Sequence, residues 1–464
     1  MIFIFNEFSI FIAGTLFANI LIRKEAIMNL AIIGFLTIVL MLILIMTKRL
    51  TTIVALIVIP IIGFLSAKYL NLIVDEKATL PTLMTNGIKS IAPTGVMFIF
   101  AIFFFGILTD AGTFEPIIKR VLKIVGNDPV KICVGTVILA SIVHLDGSGA
   151  VTFLIVIPAM LPLYKKLSMR MTTLASCTAL GAGVMNMLPW GGPTIRAISA
   201  LESTPEAVFY PMIPSLLAGL VFIVLIAIYL GKKEKARISQ LEISEESISA
   251  QEVKNPLERK KFFLFNIAII VLAIFTMVKN ILPPASVFMI ATAIVLFVNY
   301  PNQKDQKTLI DKHAPSAILM ASMLFAAGSF TGIVKGSGML DAMAKALITI
   351  IPTSIGSKIP LLTGVFSMPL SLVFDPDSYY FGVLPVVSQA VKTFGIDPVM
   401  VARASIIGQM TTGFPISPLT GATFLLTGLC GIDLGEHQKK TIPLAFLTTI
   451  VMLVVGLIVG AIVL

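Results

Sequence analysis

Apolar runs of roughly 20 residues recur from end to end of the chain, separated by short polar breaks, a spacing that predicts membrane-crossing helices. The predicted spans cover 29–46, 51–71, 91–111, 171–200, 210–230, 262–280, 284–300, 314–334, 399–428 and 441–463. Those at 171–200 and 399–428 are interrupted by Pro and Gly. Two further apolar stretches, 129–164 and 359–391, are too long for one span and carry polar centres, LDGSGA (145–150) and FDPDSYY (374–380). They read as down-and-back hairpins. Short amphipathic helices, EPIIKRVLKI and LDAMAKALITI, precede both.

Composition agrees. Of 464 residues, 57% are hydrophobic and 12% charged. That is about half the charge of a soluble domain, so the chain is an all-α polytopic membrane protein. Its net charge of +10 is then a signal of topology, because Lys and Arg collect in cytoplasmic loops. No basic run is interleaved with aromatics, which argues against a nucleic-acid partner. Cys133, Cys177 and Cys430 lack metal spacing and read as small apolar residues. There is no HExxH, nucleophile elbow or Walker loop, so nothing points to an enzyme.

The segment 231–261 is the only long polar loop, and its eight Lys/Arg place it in the cytoplasm. Alternating the spans from there puts roughly 22 Lys/Arg inside and roughly 8 outside. Before the first clear span, Arg23-Lys24-Glu25-Ala26 can be encoded by a purine-rich ribosome-binding sequence just upstream of Met28. Met28 is therefore the expected start, and 1–27 a doubtful extension.

The halves on either side of the loop resemble each other. APTGVMFIFAIFFFGILTDAG (92–112) aligns with APSAILMASMLFAAGSFTGIV (314–334), pairing Pro93 with Pro315, Gly106 with Gly328 and Thr109 with Thr331. The tips place Asp146 opposite Asp375, and LPWGGPT (188–194) aligns with FPISPLT (414–420). Each half, 28–230 and 262–464, holds five spans and one re-entrant hairpin. An odd number of spans inserts the second copy upside down. Inverted repeats with paired broken helices are a signature of secondary transporters, with substrate held near the midplane.

Irregular backbone at membrane depth is tolerated only where protein or a water-filled cavity surrounds it. Broken helices present N-terminal dipole ends to anions. Candidate substrate contacts are Gly147, Ser148 and Gly149 at the first tip, and Asn186, Pro189, Gly191, Gly192 and Thr194 at the first break. Ser378 at the second tip and Thr412, Ser417 and Thr420 at the second break complete the set. Asp146, Asp375 and Asp377 are carboxylates that an anion site would avoid unless a cation binds too: a proton, Na⁺ or a hard divalent ion. Asp residues at tips also cap their own turns. His144 is a candidate proton relay, and Asp110 ends its span at a rim. Arg196 and Arg403 each have two readings, a fork for a substrate carboxylate or a structural tie.

LDGSG, MNMLPWGGPTIRAISAL, YYFGVLPV, ARASIIGQMTTGFPISPLTGATFLLTGLCGIDLGEHQKKT and IMTKRL with APTGVMFIFAIFFFGILTDAG resemble the citrate–divalent-metal:proton symporters of the CitMHS family. The resemblance spans Met28 to Leu464. It implies an elevator-type transporter in a bacterial plasma membrane that takes up citrate complexed to Mg²⁺, Ca²⁺ or a similar ion, together with protons. The metal is then part of the substrate, with no permanently bound cofactor, and a homodimer is left open. The first tip departs from the DGDG pattern common in that family: here it reads Asp146-Gly147-Ser148-Gly149, one carboxylate fewer, with His144 added. The same architecture carrying another organic anion, or free citrate with Na⁺ or H⁺, is the alternative.

Overall fold

The computed structural model describes residues 25–45, 47, 49–73, 78–239, 257–279, 281–350 and 353–463. Most of the doubtful extension and the centre of the charged loop, residues 240–256, lie outside the described residues. Within them the chain is helical throughout. The first half contains α1 (Glu25–Ile45), α2 (Thr52–Tyr69), α3 (Leu80–Asp110), α4 (Glu115–Val125), α5 (Pro129–Val143), α6 (Gly149–Lys166), α7 (Met171–Met185), α8 (Gly192–Leu201), the single turn α9 (Pro205–Val208) and α10 (Ile213–Ile238). The second half contains α11 (Phe263–Val278), α12 (Pro284–Asn299), α13 (Gln303–Gly336), α14 (Met339–Ile350), the single turn α15 (Thr353–Gly356), α16 (Ile359–Leu370), α17 (Leu384–Val391), α18 (Val399–Ile407), α19 (Gly421–Cys430) and α20 (Leu434–Ile458). Among the described residues, nine helices are long and apolar enough to cross a membrane; a pair bent by 44°, Val399–Ile416 with Gly421–Cys430, would make a tenth.

Local chemistry explains where the helices begin and break. Pro occupies a first-turn position in α3, α4, α5, α8 and α12, where its missing N–H costs nothing. Asp128 caps α5 by accepting from the Val130 N–H at 2.8 Å, and Ser148 caps α6 by accepting from the Val151 N–H at 3.3 Å. The two amphipathic helices expected before the hairpins are α4 and α14. Two spans are longer than their apolar cores: all but the last residue of 91–111 lies within a helix of 31 residues, and 314–334 lies within one of 34. Hydrogen bonding carries a helix past the end of an apolar run, so hydropathy marked only the middles. The last helix, 434–458, starts earlier than the predicted 441–463, in the polar LGEHQKK turn.

α13 packs along α3 more extensively than any other pair, flanked by α2 and α12. Glycines permit this approach. A Cβ on Gly87 would sit 2.0 Å from the Gly328 carbonyl oxygen, and one on Gly332 would sit 2.3 Å from that of Leu83. Small residues four apart, as in Gly328 and Gly332, let helix backbones touch in a membrane. A second group, α5, α6, α7, α10, α16, α18, α19 and α20, packs mainly within itself. The two groups meet where α8 crosses α13 and where the first hairpin tip reaches α3.

Candidate functional site

The first hairpin turns through a tight 3-10 turn at His144–Asp146, and Gly147 takes the left-handed φ of 73° that the reversal requires. The Asp146 carboxylate accepts from the Ser148 N–H at 2.8 Å. The second hairpin turns at 371–377 and continues as a π-helical turn, Ser378–Val383. There Asp375 accepts from the N–H groups of Asp377 and Ser378, both at 3.0 Å, and from the Ser378 hydroxyl at 2.6 Å.

The first break separates α7 from α8. The Thr194 hydroxyl donates to the Met187 carbonyl at 2.7 Å, and the Gly191 N–H to that of Leu188 at 2.7 Å. A Cβ on Gly191 would lie 2.0 Å from the Asn186 carbonyl oxygen. Gly191→Ala is therefore expected to cost about 1–3 kcal/mol by overpacking against backbone. A thermal unfolding midpoint unchanged in detergent would contradict this. Trp190 locks the break to the first tip. Its indole N–H donates to the Leu145 carbonyl at 2.8 Å, and its ring stacks on Phe105 at 5.3 Å.

The second break is more distorted. Between α18 and α19 the chain reverses at Met410, with φ of 53°. The Met410 carbonyl accepts from the Asn186 amide at 2.6 Å, joining the two breaks directly. Ser371 donates to the Gln409 side chain and accepts from the Met410 N–H at 2.9 Å, while Ser417 donates to the Ser371 carbonyl at 2.5 Å. The second hairpin is thereby tied to the second break.

These elements enclose a cavity of about 690 Å³. Three helix N-termini line it: α6 through Gly147, Ser148 and Gly149, α8 through Gly192 and Pro193, and α19 through Thr420 and Gly421. Their aligned dipoles place partial positive charge around one space. Asp146, Asn186, Trp190 and Arg196 also line it, and the second tip touches it through Pro376.

Several expected site residues stand elsewhere. Pro189, Gly191 and Thr194 are buried behind the wall and shape the first break. Ser417 and Ser378 hold the second break and tip, and Thr412 bonds Thr449 at 2.6 Å. Asp375 caps its own turn. His144 is buried off the cavity, its ring nitrogens engaged by Thr152 at 2.8 Å and Asn186 at 3.3 Å. Arg196 pairs with Asp377 at 2.7 Å, each side chain only 11% exposed, and also donates to the Gly192 carbonyl at 3.2 Å. Arg403 donates to the carbonyls of Ala207, at 2.9 and 2.7 Å, and Ala461, at 3.0 Å, so it ties helices and does not face the cavity. All three cysteines are free and buried.

On the opposite wall, sequence reasoning set Asp110 at a rim and missed its partners Lys312 and His313. Asp110 faces the cavity from α3 and is joined by Lys312, at 2.6 Å, and His313, at 2.9 Å, from α13. The available signal was the alignment of the two halves, which sets the polar LIDKHAP segment at the head of the span that packs on α3.

Comparison with known proteins now bears on this site. The sequence matches the profile of the CitMHS family, described as citrate transporter, over residues 17–408. It is 43% identical over 433 residues to a citrate transporter of Bacillus subtilis (strain 168), covering 93% of this chain and 99% of that one. It is 40% identical over 436 residues to a Mg(2+)/citrate complex secondary transporter of the same organism, with the same coverage. In fold it resembles the YdaH transporter of Alcanivorax borkumensis, with a TM-score of 0.60 at 14% identity, covering 84% of this chain and 90% of that one. MtrF of Neisseria gonorrhoeae aligns with a TM-score of 0.52 at 13% identity, covering 81% of this chain and 83% of that one. At such identities the likeness concerns fold alone. Homology across nearly the whole length, together with the apolar helices enclosing a polar cavity, makes this chain a multi-pass plasma-membrane transporter, not an enzyme, and a member of the CitMHS citrate transporter family.

Proposed function

We propose that this chain imports citrate complexed with a divalent metal, coupled to protons. The observation that carries the reading is the cavity lined by three helix N-termini together with Asp146. Helix N-termini suit the carboxylates of citrate. Asp146 repels a bare polyanion but offers a hard oxygen to a divalent ion carried within it. Among the described residues no three His, Cys, Asp or Glu side chains converge on a metal position, so citrate itself supplies most of the metal's ligands. The relative named for the Mg(2+)/citrate complex supports this substrate class.

In this reading residues 28–230 and 262–464 are inverted repeats joined by the cytoplasmic segment 231–261, whose first residues continue α10 as far as Ile238. The hairpins and broken helices move as a body against the α3–α13 wall in an elevator-type cycle. Gly147, Ser148, Gly149, Asn186, Gly192 and Thr420 contact the substrate, and Asp146 meets its metal.

The test is uptake of labelled citrate into proteoliposomes with Mg²⁺, Ca²⁺, Ni²⁺ or chelator, with and without an imposed proton gradient. Uptake is expected to require one divalent ion and to collapse with the gradient. Uptake unaffected by chelator would favour the alternative, free citrate or another organic anion on the same fold.

A further inference from the structure

Two nitrogen-bearing side chains share one carboxylate on the α3–α13 wall. Asp110 accepts from Lys312 Nζ at one oxygen, 2.6 Å away, and from His313 Nε2 at the other, 2.9 Å away. All three residues line the cavity. The Lys312 side chain is 52% exposed, whereas those of Asp110 and His313 are 10% and 18% exposed. Gly106 makes room for the ring: a Cβ there would lie 2.6 Å from His313 Nδ1. With Nε2 donating to Asp110, Nδ1 carries a lone pair with no hydrogen-bond partner among the described residues.

We propose that this trio couples proton binding to anion binding, with His313 taking the proton and Lys312 taking a carboxylate of the substrate. The inference rests on the reading of the chain as a proton-coupled transporter of anionic citrate complexes. While His313 is neutral, Lys312 is the nearer full charge that balances Asp110. A proton from water adds to the Nδ1 lone pair, forming one N–H bond, and the imidazolium then balances Asp110. Lys312 is released to a substrate carboxylate. Loss of the Nδ1 proton to water restores the Lys312–Asp110 pair and lowers affinity for the anion. Citrate undergoes no covalent change. Because Lys312 and protonated His313 compete for one carboxylate, proton binding and anion binding strengthen each other by the same factor. Histidine is the side chain that ordinarily changes charge between about pH 5 and 8.

Other charged groups near the wall are engaged elsewhere or lie off the cavity. Arg196 on α8 is held by Asp377, and Asp146 lies at the first tip. Near the end of the linker, Arg259 pairs with Asp305 and stacks over Tyr300 at 4.7 Å. α12 carries no charged residue, and Lys68 of α2 and Asp341 and Lys345 of α14 do not line the cavity.

The test measures KM for citrate with Mg²⁺ in proteoliposomes at about pH 6 and about pH 8. Counterflow exchange and uphill accumulation driven by a proton gradient are measured beside it. For the wild type, KM should fall by about tenfold from the higher pH to the lower. His313→Gln should flatten this dependence and abolish uphill accumulation while exchange persists. Asp110→Asn should leave Lys312 permanently available, giving a low KM at both pH values. The inference is overturned if His313→Gln keeps the wild-type slope, if it loses exchange and accumulation equally, or if Asp110→Asn raises KM. Wild-type protein that moves no metal–citrate would instead overturn the underlying reading, and the inference with it.

Discussion

Asp146→Asn is expected to lower uptake of metal–citrate by about 10- to 100-fold, with membrane insertion unchanged. The factor corresponds to losing a charged interaction of about 1.5–3 kcal/mol. Asn has nearly the same shape, and its amide oxygen can still accept from the Ser148 N–H that Asp146 now engages at 2.8 Å. The tip therefore keeps its cap and its left-handed Gly147. What disappears is the negative charge that the first tip brings to the cavity, a hard oxygen donor suited to a divalent ion and, unlike Asp110, not paired with a lysine. Asp375→Asn makes a useful contrast. That carboxylate accepts three hydrogen bonds within its own turn and does not line the cavity. Its loss should reduce the amount of folded protein more than the KM. Side-by-side uptake kinetics and surface quantification decide the matter. Uptake by Asp146→Asn within twofold of wild type would reduce Asp146 to a turn cap.

Arg196→Gln is expected to destabilise the protein by about 3–5 kcal/mol, because it strands the Asp377 carboxylate without its partner in a mostly shielded site. The pair joins α8, in the first half, to the second hairpin tip, in the second half. Arg196→Gln/Asp377→Asn removes both charges and should recover most of that stability, since two neutral amides leave no buried charge. Unfolding in detergent, followed by intrinsic fluorescence, measures this. The double variant also separates the two roles of Arg196. If the guanidinium serves only to bind Asp377, the double variant transports. If it also meets a substrate carboxylate across the cavity it lines, stability returns and transport does not. Equal stability of the single and double variants would refute the pairing argument.

Much of this molecule is visible in local pattern. LPWGGPT and FPISPLT mark the two breaks because Pro removes a donor and blocks the preceding turn wherever it occurs. LDGSGA marks the first tip because Asp, Gly and Ser are the residues that reverse a chain and cap the next helix. The second tip was legible in position but not in form, since a π-helical turn has no such local code. The partners of the charged residues were not legible at all. Arg196 and Asp377 are 181 positions apart, and Lys312 and Asp110 are 202 apart. Nothing in either neighbourhood names the other.

The division follows from the range of the forces involved. Hydropathy, helix breaking and capping act within a few residues, so the sequence by itself determined a membrane protein with two hairpins and two interrupted helices. Which charge neutralises which depends on helices packed across the molecule, brought together by close backbone approaches such as Gly87 against Gly328. Tertiary structure alone therefore decided that Arg196 is balanced by Asp377, that His144 is sealed behind the wall, and that Asp110, Lys312 and His313 face the cavity in its place.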